Sequence, residues 1–241
     1  MRKAAVMIGF GAFFLTLALL MRFYAYPKLA VIPSDQNTQQ TVTDDHASYF
    51  DADTVKPGSG KIITKATVVA NKEMTKKASK ELGRDVIVID HHQADENLPD
   101  ALVVNPNRLD DLSGLGHLAA VGLVFVTIVA VNRVLRTRGF WTTRPEPDLL
   151  GSLDIVALGT VADVVPLHGL NRAFVAKGLI AMRGRTNPGL TALMDVARLT
   201  GPPEPWHLGF LLGPRINAGG RIGDAGLGAR LLLTQDETEA R

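Results

Sequence analysis

A chain of 241 residues, 46% hydrophobic and 21% charged, can bury the core of one large or two small domains, which excludes a globally disordered polypeptide. It has no cysteine, so disulfide partners, zinc–thiolate centres, iron–sulfur clusters and thiol nucleophiles are excluded, and any metal must use His, Asp, Glu or backbone oxygen. The net charge of +2 does not by itself point to nucleic acid, but it hides a split. Residues 1–80 carry 11 Lys+Arg against 6 Asp+Glu, and residues 81–241 carry 15 against 18. Nine of the first eleven bases are lysine, whereas fourteen of the last fifteen are arginine, Lys177 being the exception. So abrupt a change predicts two segments of different origin meeting near residue 80.

The first segment opens with Arg2 and Lys3, then an uncharged run from Ala4 to Met21 closed by Arg22 and followed by Tyr24 and Tyr26. At a rise of about 1.5 Å per residue the run is long enough to cross a bilayer core. The flanking charge predicts a cytoplasmic N-terminus. No small-residue cleavage site follows, because Met21-Arg22-Phe23-Tyr24 is bulky. The expectation over residues 1–26 is therefore an uncleaved transmembrane helix rather than a signal peptide. Residues 27–80 turn polar, with a β-like alternation from Ile62 to Val69. Asp51 and Asp53 could hold a metal, but no apolar strand precedes them, and a solvated turn is the better reading. The run MRKAAVMIGFGAFFLTLALLMRFYAYPKLAV, with Tyr49-Phe50-Asp51 after it, resembles an actinobacterial PorA-like, membrane-anchored envelope family. That resemblance implies membrane association through Ala4 to Met21 and carries no catalytic motif.

In residues 81–241, Val86 to Ile89 is a short β-branched run that reads as a buried parallel strand. Asp90, His91 and His92 follow it, in the place where open α/β sheets present their ligand crevice. Imidazoles and a carboxylate there suit a metal site, with helix or turn capping an equal alternative on local grounds. Leu115 to Val134 predicts a buried core helix, with His117 at its start read as a capping or core histidine. A helical stretch from Asp148 to Val165 follows Pro145 and Pro147, with Asp148 in its first turn. Within it Asp163 sits among Val161, Ala162, Val164 and Val165. A carboxylate in such company requires a partner, either a divalent cation or an arginine. Asn171 to Met182 predicts an amphipathic helix, Leu190 to Leu199 another, and Gly201-Pro202-Pro203 a break. From Gly213 to Gly223, glycines alternate with Arg215, Asn217 and Arg221. This pattern predicts a flexible loop whose backbone and guanidinium forks can grip phosphate.

Taken together, VIVIDHHQADENLPDALVVNPNR, LDIVALGTVADVVPL and FLLGPRINAGGRIGDA resemble consecutive motifs of RecJ-like single-strand DNA exonucleases of the DHH phosphoesterase superfamily. The resemblance runs from about Gly83 to Arg241. It implies that His91 and Asp163 are metal ligands for Mn²⁺ or Mg²⁺, that His92 stands near the scissile phosphate, and that Asp90 supports the site. Arg221, with Arg215 and Asn217, would hold the phosphates of single-stranded DNA. The reaction implied is 5′→3′ hydrolysis of phosphodiesters in a cytoplasmic enzyme of DNA repair and recombination. The family's earlier Asp-rich motifs have no convincing counterpart before residue 80. The expectation is thus an incomplete DHH phosphoesterase α/β core, its strand at Ile89 short of neighbours, followed by a mainly helical stretch and binding metal weakly. Two alternatives remain at this stage: a membrane-anchored envelope protein without catalysis, and a DHH phosphoesterase acting on small nucleotides.

Overall fold

The computed structural model describes residues 4–9, 30–34, 49–51, 61–63, 80, 85–94, 96, 98–222 and 226–241. The chain divides into two compact units, one containing residues 25–120 with the first strand, the other containing residues 121–241. The first is built on a parallel sheet of β1 (Ala4–Gly9), β2 (Ala30–Ser34), β5 (Asp85–Ile89) and β6 (Leu102–Val104), in the order β2-β1-β5-β6. A short antiparallel pair, β3 (Tyr49–Asp51) and β4 (Lys61–Ile63), joins Phe50 to Ile62. Val88 and Ile89 are each 2% exposed, as a central parallel strand with both faces covered requires.

Two expectations change here. The opening residues of the predicted membrane helix form β1, which pairs Val6 with Ile87 and Val31. A six-residue run rich in alanine, valine and isoleucine satisfies a buried strand as well as a helix, and hydrophobicity alone does not separate them. The rest of the run, residues 10–21, lies outside the described residues, as do Asp53 and residues 64–69 of the predicted Ile62 to Val69 alternation. The strand at Ile89 is also not short of neighbours, because β1 flanks it on one side and β6 on the other. Its backbone groups are thereby paired along both edges, which removes the exposed edge that an incomplete core would leave.

The second unit is helical. Its elements are α1 (Ala120–Thr137), α2 (Leu153–Ala162), α3 (Gly169–Arg183), α4 (Pro188–Val196), α5 (Gly213–Ile222) and α6 (Leu227–Leu233). Among the described residues α1 is the one helix long and apolar enough to cross a membrane. Its first turns are core, with Val121 and Val124 at 0% exposure. Farther along, buried Asn132 donates to Glu146 at 2.8 Å, and Arg136 pairs with the same carboxylate. That polar attachment suits a helix folded against its own chain, as the sequence predicts.

Helix α2 is buried from Leu153 to Thr160, and α3 lies against it so closely that a Cβ on Gly178 would fall 2.1 Å from the Leu153 carbonyl oxygen. Only a glycine permits that approach. Helix α4 starts as its sequence dictates: the Asn187 side chain accepts from the Leu190 N–H at 2.9 Å and Pro188 occupies the first turn. Asn187 also donates to the Leu232 carbonyl at 3.2 Å, tying the start of α4 to α6.

Candidate metal-binding turn and phosphate-facing helix

The strand β5 delivers Asp90, His91 and His92 at its carboxyl end. Asp90 keeps the strand's direction for one more residue, its N–H donating to the Val104 carbonyl of β6 at 3.1 Å. The chain then turns around the Asp90 carboxylate. Oδ1 accepts from the backbone N–H of His91 at 2.8 Å, from that of His92 at 3.3 Å, and from His92 Nδ1 at 2.7 Å. Burial pushes the Asp90 carboxyl upward, but the His92 hydrogen bond and charge, together with the two backbone N–H groups, outweigh it and hold Asp90 below the ordinary aspartate range. Asp90 is therefore an anion at neutral pH. Its partner nitrogen, His92 Nδ1, must carry a proton, which assigns the ring's remaining chemistry to Nε2. The His91 and His92 rings stand 4.5 Å apart between centroids at 49°.

Two asparagines secure this turn from behind. Asn105 is 5% exposed and donates to the His92 carbonyl at 2.9 Å. Asn107 donates through Nδ2 to the His91 carbonyl at 2.6 Å and to the Gly116 carbonyl at 3.1 Å. The Asn105 Oδ1 in turn accepts from the Asn107 N–H at 2.8 Å. Sequence reasoning missed both residues. The available signal was the Asn-Pro-Asn-Arg run directly after a β-branched strand, a place where carboxamides satisfy turn backbones. Arg108 completes the segment, donating to the Val103 carbonyl at 2.8 Å and pairing with Asp110 at 2.6 Å.

Asp163 belongs to the second unit. It ends α2 with helical dihedrals (φ −81, ψ −4), its N–H donating to the Gly159 carbonyl at 3.0 Å. Val164 follows in the left-handed region at φ 58, an unusual setting for a β-branched residue. The predicted phosphate-gripping loop is not a loop: Gly213 to Ile222 is α5, entered through a π-helical turn at Leu208–Leu212. Its first glycine serves packing. A Cβ on Gly213 would lie 2.8 Å from the Leu208 carbonyl oxygen and 3.1 Å from the Ala162 Cβ. The start of α5 is thereby set against the end of α2.

Arg215 and Asn217 are exposed on α5, and the Arg215 guanidinium donates to the Leu211 carbonyl at 2.7 Å. Two residues apart on a helix, they point in nearly opposite directions, whereas positions 217 and 221 share a face. The side chain of Arg221, with residues 223–225, lies outside the described part of the chain. His117, at the approach to α1, is half-buried. Among the described residues no three His, Asp or Glu side chains gather at metal-ligating spacing. What the first unit offers a cation is a partial set, imidazole nitrogen beside an ionised carboxylate. Carboxylate oxygen suits hard divalent ions and imidazole suits borderline ones, so the turn fits a divalent ion as part of a larger set of ligands.

Over 164 residues, 66% of this chain, the sequence is 44% identical to the single-stranded-DNA-specific exonuclease RecJ of Dickeya dadantii. The Escherichia coli RecJ is 42% identical over 168 residues. Most of this chain is RecJ-like in sequence. It spans 28% and 29% of the length of these two relatives. The likeness of fold reaches farther, covering 99% of this chain with a TM-score of 0.69 and 28% identity against a crystal structure of exonuclease RecJ bound to manganese, 58% of which is matched. The Thermus thermophilus RecJ–Mn²⁺ complex matches with a TM-score of 0.67 and 25% identity, over 99% of this chain and 33% of that one. A family model described as Porin PorA matches residues 3–101. Strands β1 and β2 thus fall within a stretch whose fold is RecJ-like and whose sequence matches another family.

Proposed function

We propose that this chain is a metal-dependent single-strand DNA exonuclease of the RecJ kind, hydrolysing phosphodiesters 5′→3′ with Mn²⁺ or Mg²⁺. The observation that carries the reading is the Asp90-His91-His92 turn, mounted at the carboxyl end of a central parallel strand inside a stretch 42–44% identical to RecJ enzymes. His91 and Asp163 would each serve as a metal ligand, and Asp90 would fix the turn while orienting His92. His92 Nε2 would face the phosphate and exchange a proton with the leaving oxygen or the attacking water. Arg221, with Asn217 on the same helix face, would hold the DNA phosphates, and Arg215 would reach a different one. When bound, the divalent ion supplies Lewis-acid stabilisation of phosphate charge.

The test is release of mononucleotides from a 5′-phosphorylated single strand with and without Mn²⁺, beside the His91→Ala chain. Slow, Mn²⁺-dependent release that falls about 100-fold in the variant is expected, since the ion that stabilises the phosphate charge would lose a ligand. Equal release by both chains, or release indifferent to metal, overturns the reading. Including a cyclic dinucleotide in the same assay tests the small-nucleotide alternative, which wins if that substrate is hydrolysed faster than the oligonucleotide.

A second reading is favoured by the Porin PorA match over residues 3–101: association of the chain with a membrane through the N-terminal segment which that match covers. Carbonate extraction of the expressed protein decides it, recovery wholly in the soluble fraction being the adverse result.

A further inference from the structure

The Asn107 carboxamide bridges two segments that are separated in sequence. Through one nitrogen it donates to the carbonyl of His91, after β5, and to the carbonyl of Gly116, before α1, at 2.6 and 3.1 Å. Its own backbone is held by Asn105, which also binds the His92 carbonyl. The seat for this carboxamide is made by an absent side chain. A Cβ on Gly116 would lie 2.4 Å from Asn107 Oδ1 and 3.3 Å from its Cγ, distances at which one of the two groups must move.

Gly116 does not have a positive φ, so its backbone conformation is open to any residue. Space, rather than backbone freedom, is what glycine supplies. Among the polar contacts around the turn, these two asparagines are the ones that fix the histidine carbonyls rather than the histidine N–H groups, which Asp90 already takes. A peptide plane is fixed when both its ends are held. The His91–His92 plane is held at the His91 carbonyl by Asn107 and at the His92 N–H by Asp90.

We infer that Asn107 is a positioning residue for the Asp90-His91-His92 turn and that Gly116 is kept small to seat its carboxamide. The inference rests on the proposed metal role of that turn. Asn107 acts through the His91 backbone, setting the direction from which the imidazole meets a divalent ion, and has no contact of its own with metal or substrate. Outer partners of metal ligands typically govern about 10–100-fold in affinity.

The coupling between the two positions makes the inference testable without removing anything from the turn. Gly116→Ala should displace the carboxamide and lower Mn²⁺ affinity about 10-fold, read by electron paramagnetic resonance titration with Mn²⁺ alone, while the thermal midpoint of the chain stays near that of the parent. In an Asn107→Ala background the carboxamide is already gone, so adding Gly116→Ala should change affinity less than about 2-fold, the signature of two positions acting through one contact. Gly116→Ala is also expected to move the backbone amide NMR signals of His91 and His92 in the metal-free protein.

If those amide signals stay where they are, the positioning role is overturned whether or not metal binds. It is equally overturned if they move while Mn²⁺ affinity is unchanged, or if Gly116→Ala costs as much in the Asn107→Ala background as alone. Failure of the parent chain to bind Mn²⁺ is a different result. It overturns the metal role of the turn and with it the positioning role for a metal ligand, whereas a parent that binds and a Gly116→Ala chain that binds equally overturns the positioning role alone.

Discussion

Two aspartates end two buried apolar elements in this protein, and the chain leaves them by different routes. Asp90 closes β5 with its carboxylate saturated: two backbone N–H groups and one imidazole converge on a single oxygen. Asp163 closes α2 with its backbone still helical, and the chain leaves it through Val164 at φ 58, a residue 88% exposed. Hydrogen bonds to the carboxylate fix the first position, and a left-handed residue follows the second. Strain of this kind persists only where surrounding structure over-determines it, and here α3 and the Gly213 end of α5 both pack on α2. The hydrogen bonds around Asp90 and the left-handed residue after Asp163 should therefore respond to different perturbations.

The comparison breaks most sharply at Asp90. Replacing it with alanine strands three donors in a partly buried turn, which is expected to destabilise the first unit by about 3 kcal/mol. Hydrogen exchange at the amides of β5 and β6 would report the loss, and protection unchanged from the parent would show that the carboxylate does not hold the turn. Asn at this position keeps an acceptor oxygen and should lose less than half as much.

A smaller effect of opposite sign is expected behind Asp163. Val164→Gly relieves a left-handed β-branched residue, worth about 1–3 kcal/mol. The extra freedom of glycine in the unfolded chain takes back about 0.5–1 kcal/mol. A net stabilisation of about 1 kcal/mol should appear as a higher urea midpoint for the second unit, followed through its tryptophans. A lower midpoint would mean that the valine side chain contributes more than its backbone costs.

The smallest effect expected is the response of Asp90 to acid. The folded Asp90 carboxyl is held below its ordinary value, so the stability it contributes is complete above the unfolded aspartate pKa of about 3.9. That contribution is lost as pH falls through the lower, folded value. The stability gap between the parent and Asp90→Asn should accordingly shrink as pH falls below about pH 4. A gap that stays unchanged down to about pH 2 would reverse the assigned direction.

Some of this was legible in the residues and some was not. The strand before Asp90, the helices near Asn171 to Met182 and Leu190 to Leu199, and the break at Gly201-Pro202-Pro203 were each read within a few residues of where they stand. Local signals, β-branching, an Asn-Pro cap and paired prolines, fix them. The Gly213 to Ile222 segment was misread because its glycines imply flexibility by composition, whereas in the fold Gly213 admits the close approach of α2. The asparagines at 105 and 107 were overlooked because their partners, His91, His92 and Gly116, are 9 to 16 residues away.

By itself the sequence determined that an aspartate and two histidines follow a buried strand, that helices succeed them, and that no thiol chemistry is possible. Only the tertiary structure decided that Ala4–Gly9 is a strand rather than the start of a membrane helix, that β5 is interior rather than an edge, and which carbonyls the two asparagines hold. The physical reason is the range of the interactions. Capping, branching and turn preference act over a few residues, whereas parallel pairing joins Val6 to Ile87, and no local pattern announces a partner that distant.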